Sequence, residues 1–201
     1  MTHIFRTAIT GGIGSGKSYV CRRLRQHGIE VYDCDAAAKR ILATDATVAQ
    51  QLCHAVGQPV VVDNILRKDI LTRFILASDD NKQTVNGIVH PAVAADFLSS
   101  GLSWLESAIL FEARFDRRIT FDAIICVTAP VDIRISRIVS RDGISPPQAM
   151  QWISCQMPQE EMERQSDFVI TNDGNSDVDQ QIRHILNMID ERKKELSITN
   201  K

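Results

Sequence analysis

Apolar residues occur in this chain as short runs separated by longer segments with helical periodicity. The runs have the length and composition of strands buried on both faces, and the segments between them carry apolar residues every three or four positions. This alternation predicts an α/β protein built on a parallel sheet. The five predicted strands are Ile4–Thr10, Ile29–Tyr32, Trp104–Phe111, Phe121–Val127 and Phe168–Thr171.

The uneven spacing of these strands predicts how the chain is divided. About seventy residues separate the second strand from the third, far more than one crossover helix needs. Their pattern is helical, which predicts a substrate-binding lobe. A shorter excursion with prolines, Ile138 to Gln165, predicts a mobile helical flap, and apolar spacing from Val178 to Ile189 predicts a C-terminal helix. The predicted parts are a core of residues 1–33, 101–137 and 167–201, a lobe of residues 34–100 and a lid of residues 138–166.

A glycine-rich segment follows the first predicted strand. Its sequence, Gly11-Gly12-Ile13-Gly14-Ser15-Gly16-Lys17-Ser18, fits the phosphate-binding loop pattern and leads into a predicted helix. Glycines let successive backbone N–H groups approach phosphate oxygens, and the helix N-terminus adds partial positive charge. Lys17 would place an ammonium against the terminal phosphates, and Ser18 would supply a hydroxyl ligand for Mg²⁺. The alternative, a glycine-rich turn in an ordinary βα unit, has no need of the Lys-Ser pair.

Acidic residues follow two of the predicted strands. Ligands of open parallel sheets bind beyond the carboxyl ends of the strands, where Asp33, Asp35 and Glu112 map. Asp33 would accept a proton from an attacking hydroxyl, or one of the two aspartates would cap the next helix. Glu112 would orient Mg²⁺ or its waters, or it would be a solvated charge at a strand end. The residues alone leave both pairs of alternatives open.

Two further motifs carry weaker signals. The proline of His90-Pro91 biases His90 away from helix, so the dipeptide predicts a break between helices, and a structural histidine is the favoured interpretation. Arg137 and Arg141 lie four residues apart and therefore on one helical face. Two guanidinium groups there would share an anion, such as a transferring phosphoryl group, or would face solvent.

Composition narrows the class of protein. The 201 residues are 44% hydrophobic and 24% charged, with a net charge of −2, which gives no support for a nucleic-acid or membrane-surface protein. The five cysteines are odd in number and include no Cys-x-x-Cys pair, which favours a reduced compartment over a disulfide framework or a zinc site. With no apolar signal segment or membrane-length run, we expect a soluble cytoplasmic protein.

Taken in chain order, these motifs resemble the dephospho-coenzyme A kinase family over nearly the whole chain. The glycine loop is shared with many kinases, whereas the ordered set is much more specific. The matching segments are Thr10–Ser18, Asp33-Cys34-Asp35, His90-Pro91, Ile109-Leu110-Phe111-Glu112, Arg137 with Arg141-Asp142, Gln156-Met157-Pro158, Asp167–Ile170, Asn172 and Gly174.

The resemblance implies a P-loop kinase-like parallel sheet of five strands in the order 2-3-1-4-5, flanked by helices, with a helical substrate lobe and a helical lid. It implies transfer of the γ-phosphoryl of ATP, with Mg²⁺, to the ribose 3′-hydroxyl of dephospho-coenzyme A. The products would be coenzyme A and ADP, in the last step of coenzyme A biosynthesis, and the enzyme would be a monomer or a weak homo-oligomer.

By the same match, Asp33 would be the catalytic base, and Lys17 and Arg141 would stabilise the transferred phosphoryl group. Ser18 and, through water, Glu112 would hold Mg²⁺. The implied ATP-binding residues are Gly12, Ile13, Gly14, Ser15, Gly16, Lys17, Ser18, Tyr19 and Asn172, the last near the adenine. The implied substrate-binding residues are Asp33, Asp35, His90, Glu112 and Arg137.

Some positions depart from the family's usual residues, and two other functions stay open. Lys68 and Trp152 stand where Arg is common, and Met162 where Lys is common, so the resemblance does not fix the detailed contacts of the lobe and lid, although it still implies the reaction. Tyr19 replaces a usual Thr, and Asn64 a usual Gly. A related nucleotide kinase would have the same fold, and a nucleotide-dependent switch would hydrolyse slowly. A guanine-specific switch would need an Asn-Lys-x-Asp sequence, which the chain lacks.

Overall fold

The structure, a computed structural model, describes residues 3–62 and 65–199, so Asn64 lies outside the described residues. The chain groups into two compact units. The first comprises Met1–Tyr32, Leu102–Glu112 and Thr120–Lys201, and the second comprises Asp33–Gly101 and Ala113–Ile119. The division into core, substrate lobe and lid, which assigns functions as well as boundaries, stays a prediction.

A five-stranded parallel sheet forms the centre of the first unit. Its strands are β1 (Thr7–Thr10), β2 (Val31–Asp33), β5 (Trp104–Glu106), β6 (Ala123–Thr128) and β7 (Phe168–Thr171), in the order β2-β5-β1-β6-β7. β1 pairs in parallel with both β5 and β6, and β6 with β7. The predicted order is therefore confirmed, with the numbering shifted by a two-stranded hairpin, β3 (Val61–Val62) and β4 (Ile65–Leu66), that the sequence analysis missed.

The predicted extent of the third strand is wrong. β5 ends at Glu106, and the apolar residues that follow form turns. Ser107 explains the end of the strand: its N–H makes the last ladder bond, to the carbonyl of Ile9, and its hydroxyl accepts a hydrogen bond from the Ile109 N–H. The later part of the run, including Leu110 and Phe111, is buried without being a strand, so apolar character alone did not fix the backbone conformation.

The other strand predictions need smaller corrections. β1 begins at Thr7, β2 includes Asp33, and β6 runs from Ala123 to Thr128. The fifth predicted strand is confirmed in full as β7. The predicted start of the flap, Ile138, lies inside a helix that extends to Asp142.

Helices pack on the sheet through its apolar side chains. Ile9, Ile125 and Ile170 form one buried cluster with residues of the first helix and the C-terminal helix, such as Leu24 and Ile182. The predicted packing of the C-terminal helix on the sheet is confirmed. In this unit the helices are α1 (Lys17–Gln26), α7 (Val131–Asp142), α8 (Pro146–Ser154), α9 (Gln159–Arg164) and α10 (Val178–Thr199).

The second unit is mainly helical, and its longest helix packs against the other four. The Asp45 carboxylate caps one helix by accepting hydrogen bonds from Thr47 and Val48, and the Ser78 hydroxyl caps the longest one at Asn81. No helix of the described residues is both long enough and apolar enough to cross a membrane. The helices of this unit are α2 (Cys34–Thr44), α3 (Ala46–Val56), α4 (Lys68–Ala77), α5 (Asp79–Ser99) and α6 (Phe115–Arg118).

The predicted break at His90-Pro91 is wrong, because α5 continues through Pro91. A proline inside a helix leaves the carbonyl four residues earlier without its backbone donor and crowds it. That carbonyl belongs to Gly87, which is exposed and has open space where a side chain would be. The residue whose carbonyl loses its backbone donor is therefore one that solvent reaches.

Candidate active site

The glycine-rich loop connects β1 to α1. β1 ends at Thr10 and α1 begins at Lys17, with Gly16 as its N-cap in the left-handed conformation, at a φ of 95°. The loop makes a turn in which the Ser15 N–H donates to the Gly12 carbonyl at 3.1 Å. The strand, loop and helix N-terminus thus have the arrangement of an anion-binding site.

Side chains behind the loop hold three consecutive carbonyls. Arg134 Nε donates to the Ile13 carbonyl at 2.9 Å, and Arg137 Nη1 donates to those of Gly14 and Ser15, both at 3.2 Å. Asn172 Nδ2 also donates to Ser15, at 2.8 Å. In a trans peptide the N–H points opposite to the C=O, so these bonds turn the following N–H groups away from the donors. This is the orientation that phosphate binding requires.

Two predicted site residues therefore meet at the loop. Arg137 Nη2 donates to the Asn172 carbonyl at 2.9 Å, and Asn172 is itself buried, with 7% of its surface exposed. The Asn172 N–H donates to the Thr128 carbonyl at 2.8 Å, which ties the segment after β7 to the end of β6. Their predicted roles, in adenine and substrate binding, stay predictions. The geometry shows both residues bracing the loop from behind.

Lys17 is buried at the start of α1. Its Nζ donates to the Gly11 carbonyl at 2.7 Å and lies 4.0 Å from Glu106 Oε1. Glu106 is the last residue of β5, the neighbour of β1 in the sheet. The acidic residue at this strand end is thus Glu106, whereas Glu112 was predicted to occupy such a position. The cause is the early end of β5 described above.

Glu112 lies on an exposed turn and holds a neighbouring segment. It accepts a hydrogen bond from the Met157 N–H at 3.0 Å. The preceding residue, Gln156, accepts from the Ile13 N–H of the loop through Oε1, at 2.7 Å. The Gln156-Met157 pair therefore links the loop to Glu112.

The remaining predicted residues of the first unit are exposed. Ser18 lies in the first turn of α1, and the Tyr19 ring lies 5.9 Å from the Arg22 guanidinium carbon. Arg141 is on α7, but its side chain is 61% exposed and pairs with Asp142, with Nη2 2.7 Å from Oδ2. That hydrogen bond lowers the pKa of Asp142. Among the described residues, the bonds of Arg141 do not include the loop.

Asp33, Asp35 and His90 belong to the second unit. Asp33 caps α2, because its Oδ1 accepts from the Ala36 N–H at 2.9 Å, and Asp35 is exposed in the first turn. The capping alternative for Asp33 is therefore observed, and the catalytic alternative stays a prediction. The half-buried His90 ring lies 5.7 Å from that of Phe115, and burial, with a smaller effect of Arg118, lowers the pKa of the imidazole.

The sequence analysis missed three residues of this site. Glu106 lay inside the longer strand that was predicted, so it was not recognised as the residue at the strand end. Arg134 lies one helical turn before Arg137, a spacing that placed it on the same face and was a usable signal. Gln156 stood inside a matched motif, but nothing in the sequence said that it reaches the loop.

The oxygen donors near the loop fit Mg²⁺. This ion keeps several waters and usually takes only one or two protein oxygens together with substrate phosphates. The Ser18 hydroxyl and the Glu106 carboxylate are donors of that kind. The described residues contain no cluster of three or more His, Cys, Asp or Glu that could hold a metal ion.

A glycine loop between a strand and a helix, in a parallel sheet of this order, defines the class of phosphate-loop kinase folds. The dephospho-CoA kinase (CoaE) family model matches residues 6–178, and the chain belongs to this family. It is 38% identical over 188 residues to a dephospho-CoA kinase of Bacteroides fragilis, covering 90% of this chain and 91% of the relative.

Two solved structures share the fold of this chain. The chain is similar to a protein of Thermus thermophilus, with a TM-score of 0.77 and 28% identity over 93% of this chain and 98% of that one. The dephospho-CoA kinase of Campylobacter jejuni shares the fold, with a TM-score of 0.57 and 20% identity over 92% of this chain and 96% of that one. The predicted family and fold class are confirmed.

Proposed function

We propose that this protein transfers the γ-phosphoryl group of ATP to the ribose 3′-hydroxyl of dephospho-coenzyme A, giving coenzyme A and ADP. The observation that carries the proposal is the braced glycine loop, found in a chain that belongs to the dephospho-CoA kinase family. The loop accounts for binding of a nucleotide polyphosphate, and family membership supports the acceptor. ATP is therefore the phosphoryl donor in this proposal.

The loop residues would bind and orient the donor. N–H groups of Gly14 and Gly16 point opposite to the carbonyls that Arg134, Arg137 and Asn172 hold, so they face away from these side chains. Lys17 Nζ is held by the Gly11 carbonyl and would shift to the β- and γ-phosphates when these are bound. A buried ammonium stabilises phosphate charge strongly because little solvent screens it.

Asp33 is the proposed proton acceptor for the ribose hydroxyl. Support comes from its place as the last residue of β2, at the carboxyl end of a parallel strand, and from the family motif around it. Its Oδ1 is used in the helix cap, and the side chain is exposed. The cap fixes the direction of the carboxylate, which suits a general base that must meet one hydroxyl. Asp35, His90 and Glu112 are the other proposed acceptor-binding residues.

Ser18 and Glu106 are the proposed protein ligands of Mg²⁺, directly or through water. These oxygens would hold the ion, which would supply positive charge against the phosphates. Glu106 replaces Glu112 in this role because it is Glu106 that ends the strand beside β1.

The five free cysteines and the family membership support a cytoplasmic enzyme in this proposal. The proposed assembly is a monomer or a weak homo-oligomer.

Dependence on the acceptor tests the reaction. ADP is expected to form rapidly from ATP and Mg²⁺ when dephospho-coenzyme A is present, and slowly without it, in a coupled assay. ADP production at equal rates in both cases would identify an ATPase or a switch. Turnover with other nucleosides but not with dephospho-coenzyme A would identify a related nucleotide kinase.

Asp33→Asn tests the base. Asn caps helices as well as Asp, so the variant is expected to stay folded, whereas the chemical step is expected to slow by roughly 10²- to 10⁴-fold. The dissociation constant of ATP is expected to stay unchanged, as measured by calorimetry. Near-normal turnover would leave Asp33 as a helix cap only and make Asp35 the candidate base.

A further inference from the structure

Arg134 is a buried cation that the mechanism above uses only for one hydrogen bond. It is on α7 and is 3% exposed. Its Nε donates to the Ile13 carbonyl. A Cβ at Gly12 would lie 2.3 Å from Arg134 Nη2 and 2.9 Å from Cζ, so the charged end of the side chain packs directly against the loop backbone. A side chain at position 12 would therefore displace the guanidinium.

The Arg134 guanidinium has no ion-pair partner among the described residues. Its one side-chain hydrogen bond is made through Nε, and the carboxylate that acts on its charge, Glu160, does so only through space. Burial lowers the pKa of the guanidinium by more than the attraction of Glu160 raises it. A buried charge without an ion-pair partner costs free energy, which a bound anion would offset.

The other two arginines of the same helix differ. Arg137 spends its donors on the carbonyls of Gly14, Ser15 and Asn172, and Arg141 pairs with Asp142. Arg134 alone among the three combines near-complete burial, contact with the loop and unused donors. The group that brings negative charge to this loop is a nucleotide polyphosphate.

We propose that Arg134 is a positioning residue for the nucleotide: it fixes the Ile13 carbonyl and supplies, from behind the loop, a buried positive charge that the bound phosphates balance. The proposal rests on the proposed function only in taking ATP as the ligand. The Gly14 N–H is turned forward by the bond to Ile13, and the guanidinium charge adds to the attraction for phosphate through a region with little water.

Arg134→Gln and Arg134→Lys test the proposal, with Arg183→Gln as the matched control because Arg183 is an exposed arginine of α10. Titration calorimetry measures the dissociation constant of ATP with Mg²⁺, and competition measures that of adenosine. We expect Arg134→Gln to weaken ATP binding by roughly 10- to 100-fold, with much less effect on adenosine, which has no charge. Arg134→Lys is expected to recover most of the affinity for ATP, and the control is expected to bind as the unchanged protein does.

The melting temperature of the ligand-free protein separates this role from a structural one. We expect Arg134→Gln to melt at the same temperature or higher, because it removes a buried charge without a partner, while its stabilisation by ATP shrinks. A large drop in the ligand-free melting temperature with unchanged affinity for ATP would overturn the proposal. So would an Arg134→Lys variant that binds ATP as weakly as Arg134→Gln. These readouts do not use turnover, so failure of the acceptor assay above would be seen separately.

Discussion

Replacement of Gly16 by alanine tests the close fit between the loop and Asn172. Gly16 has a φ of 95°, and an added Cβ would lie 2.0 Å from Asn172 Nδ2. The left-handed conformation costs alanine about 1–2 kcal/mol. The contact would also push the Asn172 amide off the Ser15 carbonyl, and a buried polar group left without its partner costs about 1–3 kcal/mol. The expected loss in the free energy of unfolding is therefore about 2–5 kcal/mol.

Gly28→Ala provides the matched control. Gly28 has a φ of 76°, and nothing lies within 4 Å of the position of an added Cβ. Its loss is expected to be the conformational part alone, about 1–2 kcal/mol. Both variants would be measured by chemical denaturation with and without saturating ATP.

A double-mutant cycle completes the test. In an Asn172→Ala background the amide that Cβ would strike is gone, so Gly16→Ala is expected to cost only about 1–2 kcal/mol there. Equal losses for Gly16→Ala and Gly28→Ala would refute the reasoning. A loss at Gly16 that is the same with and without the Asn172 side chain would do so as well.

Two other changes test the surroundings of the site. Burial lowers the pKa of His90 below 6.5 in the folded protein, so on acidification the unfolded chain takes up the proton first. The free energy of unfolding of the unchanged protein, relative to that of His90→Gln, should therefore decline as the pH falls from about 7 to 5. Denaturation curves measure this difference, and a difference that stays constant with pH would contradict the prediction. Arg141 must leave Asp142 to reach a phosphate, so we expect it to act mainly in the transition state, and Arg141→Ala should lower turnover more than affinity for ATP. Hydrogen exchange over residues 144–165 should slow only when nucleotide and acceptor are both bound. Normal turnover of the variant together with unchanged exchange would show that this segment is a static part of the surface.

Much of the fold was predictable because it depends on local chemistry. Short apolar runs predicted the strands, and the family resemblance of the ordered motifs predicted the strand order of the sheet. A phosphate-binding role for Gly11 to Ser18 could be predicted because loops of that kind need glycines, a lysine and a hydroxyl at fixed spacing. The sequence predictions were wrong where hydrogen bonding or solvation of the backbone decided where an element ends. Ser107 ended β5 early, and an exposed Gly87 let α5 continue through Pro91.

The sequence by itself determined which residue types suited to phosphate binding are present and the order in which they occur. Only the tertiary structure decided which side chains hold the carbonyls of the loop, because those side chains are far from the loop along the chain. Arg134, Arg137 and Asn172 reach the carbonyls of residues 13–15 across more than a hundred positions. A side chain added at position 12 would meet Arg134, and one added at position 16 would meet Asn172, and no local sequence pattern connects these pairs. Periodicity reports which face of an element is buried, whereas hydrogen bonds between distant segments depend on where the packed elements bring those segments.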